Sequence, residues 1–563
     1  MDLVPPADYP PPFQPSDYVA PPQAGEDEYI EVGVLIVGGG SAGLACAVRL
    51  GQLLAENEAL MESLGEVPIA VAEKGKAYGS HLLSGACMKP GAIKDLFPDT
   101  PDEEIPHYTE VTGEAVYFMT EGGKYRIPAP PQMKNHGNWV VSVSQLGRWM
   151  SEQAEELGAF LLPETDAQKV LIDNGAVLGV VTGDKGRGRE GEELSTFEPG
   201  VEVRAKVTVL AEGTQGFLSG VVRDYYDLDR DSTQIWELGI KEVWEVDKPL
   251  DKVIHTLGWP LRMRGKYNEY GGSWLYPMGE DKVSLGFVVG LDYADATLSP
   301  HDLLQDFKTH PFIKGILGGG RRLAWGAKTI PGAGLYGLPS RLHVPGAVLT
   351  GDCAGFVDMA SLKGVNYAIR SGMLAADTIA ESLEAGNADT PAGLWGYDKR
   401  IHDSEIWKDL WKVRNIRPAF QKGFAYGSMV HMMATGSGGR MPKQVKFIAD
   451  AAEPVFEGDR TYKQPDGEYT FDKLSSVFAS GNQTRDDQPS HIRIQEHVPR
   501  TIAVAWESMC PAKVYEIAED EPQNGKVTVR VNPSNCVQCG AITAKGGQLT
   551  PPEGGSGPEY TLT

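Results

Sequence analysis

Val32-Gly33-Val34-Leu35-Ile36-Val37-Gly38-Gly39-Gly40-Ser41-Ala42-Gly43 is the stretch that decides the architecture. Its apolar first half predicts a buried strand, its glycines a tight turn, and the apolar pattern over residues 44–53 the helix that follows. This is GxGxxG in the setting it requires. Gly38 permits the turn, Gly40 lets backbone approach a pyrophosphate, and Gly43 lets helix and strand touch, while the amides around Ser41 and Ala42 point the helix end at phosphate charge. A second apolar strand over 67–72 ends at Glu73, 30 residues beyond Gly43, where a carboxylate can accept both ribose hydroxyls. Strand, glycines, helix, strand and acid in that order predict a bound dinucleotide rather than an empty glycine turn.

Outward from this core, a strand over 205–210 runs into Ala211-Glu212-Gly213-Thr214, and one over 346–350 runs into Gly351-Asp352-Cys353-Ala354-Gly355. Two returns to the first sheet are the pattern of two-domain flavoproteins, so FAD is favoured over NAD. Lys169-Val170-Leu171-Ile172 is the strand whose backbone at Val170 would meet the adenine. Asp352, beside Gly351, suits a hydrogen bond to the ribityl or phosphate part of FAD, and a helix N-cap role is compatible with it. Lys363-Gly364-Val365-Asn366 opens a helix predicted to run to residue 380, whose first amides would stabilise negative charge on a reduced isoalloxazine.

The chain has 563 residues, a length for about three or four domains. Acidic residues outnumber basic ones 76 to 52, a formal charge of −24 that repels phosphate and sets nucleic acid aside as a partner. Six cysteines are too few for a disulfide-stapled secreted fold. No apolar run is long enough for a spanning helix, so any membrane contact is expected to be peripheral. Residues 1–31 carry seven acids (Asp2, Asp8, Asp17, Glu26, Asp27, Glu28, Glu31), many prolines and no Lys or Arg, the composition of a disordered arm. That composition matches neither a transit peptide nor a secretory signal, which points to a bacterial chain, cytosolic or membrane-peripheral.

Near the C-terminus stand Cys510-Pro511-Ala512 and Asn535-Cys536-Val537-Gln538-Cys539, the latter just after a strand over 527–531. Cys-x-x-Cys with a Cys-Pro 26 residues upstream resembles part of an iron-sulfur ligand set. Taken alone, three cysteines are equally zinc ligands or idle thiols.

Further stretches carry a family resemblance: Ser84-Gly85-Ala86-Cys87, Asn135-His136-Gly137-Asn138, Gly258-Trp259-Pro260-Leu261, Tyr270-Gly271-Gly272-Ser273, Gly286-Phe287-Val288-Val289-Gly290-Leu291-Asp292-Tyr293 and Val413-Arg414-Asn415-Ile416-Arg417-Pro418. With these the chain resembles the electron transfer flavoprotein:ubiquinone oxidoreductase family over nearly its whole length after residue 33. The resemblance implies an α/β fold (α+β overall) in three interleaved parts after the arm. These are a Rossmann-like FAD-binding domain (32–100, 141–232, 340–400), a quinone-binding, membrane-surface domain (101–140, 233–339, 401–450) and a ferredoxin-like iron-sulfur domain (451–563). It adds Ser84 and Gly85 to the FAD-binding set and implies a quinone-head site at Tyr270, Gly271 and Gly272. Without it, Tyr270-Gly271-Gly272 reads as a strand bulge. Residues 283–289, mostly apolar, predict a strand buried on both faces.

The resemblance also implies two segments dipping into one leaflet, residues 115–131 and 418–441, the second holding Phe420, Phe424, Tyr426, Met429, Val430, Met432 and Met433. For the cysteines it implies a 4Fe–4S cluster with four thiolates, yet Ile542 stands at the fourth position. Three outcomes stay open: a three-iron cluster, a four-iron cluster completed by water or an oxygen side chain, or no cluster, with metal ligands expected at Cys510, Cys536 and Cys539. The activity implied is electron transfer from reduced electron transfer flavoprotein, through the cluster and FAD, to ubiquinone or menaquinone, peripherally on the cytoplasmic face of a bacterial inner membrane. The alternatives are a reductase of the geranylgeranyl-reductase type and a non-catalytic prenyl or lipid carrier. Against the overall negative field, Lys408, Lys412, Arg414 and Arg417 are the expected local basic patch for docking.

Overall fold

A computed structural model of the chain describes residues 3–25, 28–229, 232–442, 447–519 and 524–563. At its centre is the quoted strand, Tyr29–Val37, whose last six residues are all buried. It pairs in parallel with Glu202–Leu210 on one side and Ile69–Ala72 on the other. Ile69–Ala72 passes the parallel pairing on to Phe160–Leu162, and Glu202–Leu210 pairs again with Ala347–Leu349, in register at Leu210 and Leu349. The returns over 205–210 and 346–350 are therefore both strands of the first sheet. These strands read as unbroken Val, Ile and Leu runs because helices cover both faces of a parallel sheet. The helix after the glycines is Ser41–Ala55, and the helix after Gly364 is Val365–Glu384.

A second, seven-stranded sheet runs Arg321–Pro331, Trp236–Glu245, Lys282–Gly290, Gly271–Pro277, Val253–Gly258, Glu114–Thr120, Gly123–Ile127 in spatial order. Lys282–Gly290 lies inside it and is buried on both faces, as its composition predicts. The C-terminal region adds the small sheet His497–Pro499, Lys526–Val531, Tyr515–Ile517 and the helix Arg500–Met509. Ile502 and Trp506 of that helix share one continuous core with Leu303, Phe307 and Leu285 of the second-sheet region.

The expected disordered arm is corrected by the structure. Its Met1, Asp2, Glu26 and Asp27 lie outside the described residues, but residues 3–25 are packed onto the body. Val4 and Val455 exchange backbone hydrogen bonds (3.1 and 3.0 Å). Phe13 stacks on Tyr18 with ring centroids 5.3 Å apart, and Tyr18 meets Phe217 edge-on at 4.8 Å. Val19–Ala20 then extends the first sheet by pairing with Val170 and Leu171. Three aromatic rings anchor a segment whose average composition is that of a solvated tail.

The expected basic patch is also corrected. Arg417 is buried in ion pairs with Glu237 and Asp292, and Arg414 donates to the carbonyls of Gly439 (2.9 Å) and Met441 (2.6 Å). Lys412 pairs with Asp409 at 3.0 Å. Only Lys408 of the four keeps an exposed head free of a carboxylate, its ammonium donating to the Asp403 carbonyl at 2.5 Å.

Of the two leaflet segments, residues 115–131 form the hairpin Glu114–Thr120 and Gly123–Ile127, and 418–441 contains the helix Phe424–Ser437. Gln132 donates to Thr435 at 2.6 Å and ties them together. Met429, Met432 and Met433 are exposed, Met432 by 70%, while Val430 and Ala434 face inward. Among the described residues no helix is long and apolar enough to cross a membrane.

Candidate functional site

The ends of the central strands and the N-termini of Ser41–Ala55 and Val365–Glu384 converge on a cavity of about 320 Å³. That is within the size range of cofactor sites. The three glycines of the motif divide the work. Gly38 holds φ +109°, and a Cβ on Gly43 would lie 2.0 Å from the Gly38 carbonyl, so these two serve the turn and the helix-strand contact. A Cβ on Gly40 would meet only a Leu82 methyl at 3.5 Å and would point into the cavity. Gly38, Gly40, Ser41, Ala42, Glu73, Ser84, Gly85, Asp352, Gly364, Val365 and Asn366 all line it.

Gly43, Gly351 and Val170 do not line the cavity. Val170 is buried between its neighbours in the first sheet, with Val19 beside it, and the wall is made three and four residues earlier by Ala167 and Asp166. Glu73 is placed as expected at the strand end, but each of its oxygens already accepts a backbone N–H, from Gly39 (2.9 Å) and Gly75 (2.7 Å). It thereby fixes the glycine turn, and a carboxylate oxygen retains capacity for a second donor. Asp352 caps no helix. It stands beside the N-terminus of Val365–Glu384, and enclosure by the cavity walls pushes its carboxyl up to about 6, opposed by the Lys328 charge.

Several wall residues carry no sequence signal. Lys74 donates to Gln538 Oε1 at 2.6 Å, and Lys328 donates to the Gln538 carbonyl at 3.2 Å. Burial lowers the Lys328 ammonium to about 8. Lys363 donates to Asn135 Oδ1 at 2.9 Å, and Lys241, from behind the wall, donates to the Ser84 carbonyl at 2.8 Å, which holds the Ser84-Gly85 turn in place. Glu212 caps the helix Phe217–Tyr225 by accepting from the amides of Leu218 (2.9 Å) and Ser219 (2.6 Å). Motif spacing shows none of the lysine pairings, because each joins residues far apart in the chain.

FAD fits this cavity on the residues present. Asn366 Oδ1, both amide atoms of Gln215 and both ring nitrogens of His491 are buried at its wall without a hydrogen-bond partner, which is costly unless a polar ligand meets them. The Gly40 opening and two helix N-termini suit an anionic pyrophosphate and a reduced flavin.

A smaller cavity of about 20 Å³ is walled by Cys510, Cys536 and Cys539 together. The amides of Ala512 and Val514 donate to Cys510 Sγ, and that of Gln538 to Cys536 Sγ, each at 3.4 Å. Burial pushes all three thiols up, Cys539 to about 12, and the charges of neighbouring cysteines add to the rise for Cys536 and Cys539. A positively charged metal group reverses that direction. Among the described residues no three His, Cys, Asp or Glu groups are arranged to share one metal ion. Ile542 lines the same cavity. Gly540 and Leu549 belong to the walls of both cavities, and Gln538 and Thr543 reach from the cysteine loop into the larger one.

Tyr270, Gly271 and Gly272 lie outside the large cavity. Arg417 sits over the Tyr270 ring at 4.1 Å, and burial pushes its phenol up to about 12. Gly271 and Gly272 pair in unbroken register with Val289 and Val288, so the stretch is a regular strand start, and Val288 lines the cavity. A Cβ would lie 2.0 Å from the Val288 carbonyl at Gly271 and 2.5 Å from the Thr256 carbonyl at Gly272.

Residues 236–330 match the family model described as ETF-QO, ubiquinone-binding, and residues 467–561 that described as electron transfer flavoprotein-ubiquinone oxidoreductase, 4Fe-4S. The chain is 37% identical over 563 residues to the mitochondrial electron transfer flavoprotein-ubiquinone oxidoreductase of Caenorhabditis elegans, covering 94% of this chain and 91% of the relative. It is 39% identical over 565 residues to that of Homo sapiens, covering 94% and 89%. Among solved structures, a geranylgeranyl bacteriochlorophyll reductase-like protein from Thermoplasma acidophilum matches with a TM-score of 0.54 and 19% identity, over 73% of this chain and 92% of that one. That likeness is one of fold.

Proposed function

The chain belongs to the electron transfer flavoprotein-ubiquinone oxidoreductase family, and on that footing we propose that it accepts electrons from reduced electron transfer flavoprotein and delivers them to a membrane quinone. The observation that carries this reading is the shared wall of the two cavities. Gly540 and Leu549 face both, so a thiolate-bound cluster and a flavin held in these sites are neighbours, as a relay requires.

Bound in the large cavity, FAD supplies storage for two electrons, and the cysteine site supplies a one-electron centre. The chain's own residues hold and tune these groups. The Ser41–Ala55 end and Gly40 receive the pyrophosphate, Glu73 and Asp166 stand at the nucleoside side, and Asp352 with the Val365–Glu384 end meets the flavin side. Lys74 and Lys328, in the wall of the large cavity, donate to Gln538 of the cysteine loop and tie the two sites together. The quinone head belongs at Gly271 and Gly272, under Tyr270. Support comes from their place within the matched ubiquinone-binding region and from the strand neighbour Val288, which already lines the flavin cavity.

Peripheral seating on a membrane, at the cytoplasmic face of a bacterial inner membrane, is part of the proposal. Its peripheral part is supported by the exposed Met429, Met432 and Met433 on a helix whose other side is buried. The prenyl-reductase and carrier readings rest on the shared fold alone, which does not set a reaction. Steady-state assay with reduced electron transfer flavoprotein and a short-chain quinone tests the reading: quinol formation is expected, and its absence with flavin bound would sink it.

A further inference from the structure

The region matched to a 4Fe–4S domain, residues 467–561, contains three cysteines. A four-iron cube has four iron corners, and each takes a terminal donor. The run Cys536-Val537-Gln538-Cys539-Gly540-Ala541-Ile542 puts isoleucine where a third cysteine of Cys-x-x-Cys-x-x-Cys would stand. Gly540 turns at φ +89° into the short helix Ala541–Ala544, which carries residue 542 to the cavity of the three thiols.

Ile542 is 3% exposed and fills its corner tightly. A Cβ built on Gly547 would lie 2.6 Å from Ile542 Cγ1 and 2.9 Å from an Ile494 methyl, so Ile542 is held from the side away from the cysteines. The wall around it is apolar, formed by Met509, Val537, Ala541 and Leu549, and Tyr515 is its one oxygen-bearing side chain among the described residues. Iron at that corner would face a methyl branch, with no thiolate, carboxylate or imidazole to complete it, and a water there would meet apolar walls with Tyr515 as the one side-chain oxygen.

We propose that this chain holds a three-iron, four-sulfide cluster on Cys510, Cys536 and Cys539, with Ile542 closing the corner from which a fourth iron is missing. The inference rests on the proposed reading of this region as an iron-sulfur relay. The redox step is a single electron: the oxidised cluster gains one, the reduced partner flavoprotein loses one, and no bond forms or breaks.

Iron, sulfide and flavin are counted in the anaerobically purified holoprotein, and low-temperature electron paramagnetic resonance spectra are recorded before and after one-electron reduction. The expected result is about three irons per flavin and a signal in the oxidised state that is lost on reduction. About four irons, with a signal only after reduction, overturns the inference, as does flavin without iron. In Ile542→Cys the iron count should rise to about four and the signal should move to the reduced state. An Ile542→Cys protein with unchanged count and spectrum overturns the assignment of the open corner to residue 542. Flavin bleaching by reduced electron transfer flavoprotein is followed in the same samples. A three-iron spectrum without bleaching leaves the cluster standing and removes the proposed function, and bleaching with a four-iron spectrum does the reverse.

Discussion

Gly40 and Gly43 are three residues apart in one motif and have opposite tolerances. Gly43→Ala places a methyl 2.0 Å from the Gly38 carbonyl, and unfolding in urea should show a loss of about 1–3 kcal/mol. Gly40 already has an extended backbone open to any residue, so Gly40→Ala should leave stability within about 0.5 kcal/mol while weakening FAD binding at least about tenfold. Asp352 gives a pH test. Its folded carboxyl titrates at about 6, above the unfolded value, so ionising it destabilises the fold progressively as pH rises from about 4 to about 6. Asp352→Asn should therefore make the flavin-stripped protein more stable by roughly 1–2 kcal/mol at pH 7, with the gain gone below about pH 4, and should bind FAD more weakly. At this scale the motif glycines and Glu73 were legible because local spacing encodes them. Lys74, Lys328 and Lys363 were not, since an isolated lysine says nothing about the distant partner that buries it.

Among elements, the N-terminal segment is the plainest departure from the sequence reading. Its acids Asp8 and Asp17 stay exposed as composition suggests, while Phe13 and Tyr18 supply the packing that composition averages away. Replacing both by Ala should cost about 2–4 kcal/mol in denaturant unfolding, because the pair packs on Phe217 and covers the sheet edge. The strand of Val170 was legible from its apolar run, while its edge neighbour Val19–Ala20 was not. Helices Ser41–Ala55 and Val365–Glu384 were legible nearly to their ends because glycine marks both starts.

At the scale of the whole molecule, the first sheet, the second sheet and the cysteine region were each visible in the sequence, but their junction was not. Lys74 and Gln538 are 464 residues apart and meet at the wall between the two cavities. The overall negative charge remains, yet two of the arginines expected to relieve it locally are structural. Arg417 is 3% exposed and joins Glu237 and Asp292 across the second sheet. Arg417→Ala strands two buried carboxylates and should cost about 3–5 kcal/mol in unfolding experiments.

The most direct test of the central claim is a single-turnover experiment in which the oxidised holoprotein is mixed anaerobically with reduced electron transfer flavoprotein and then with a short-chain quinone. The account predicts bleaching of the bound flavin in the first mixing, and its recovery with matching quinol formation in the second. A flavin that stays oxidised on mixing with the reduced partner, in protein shown to carry both FAD and iron, would contradict it.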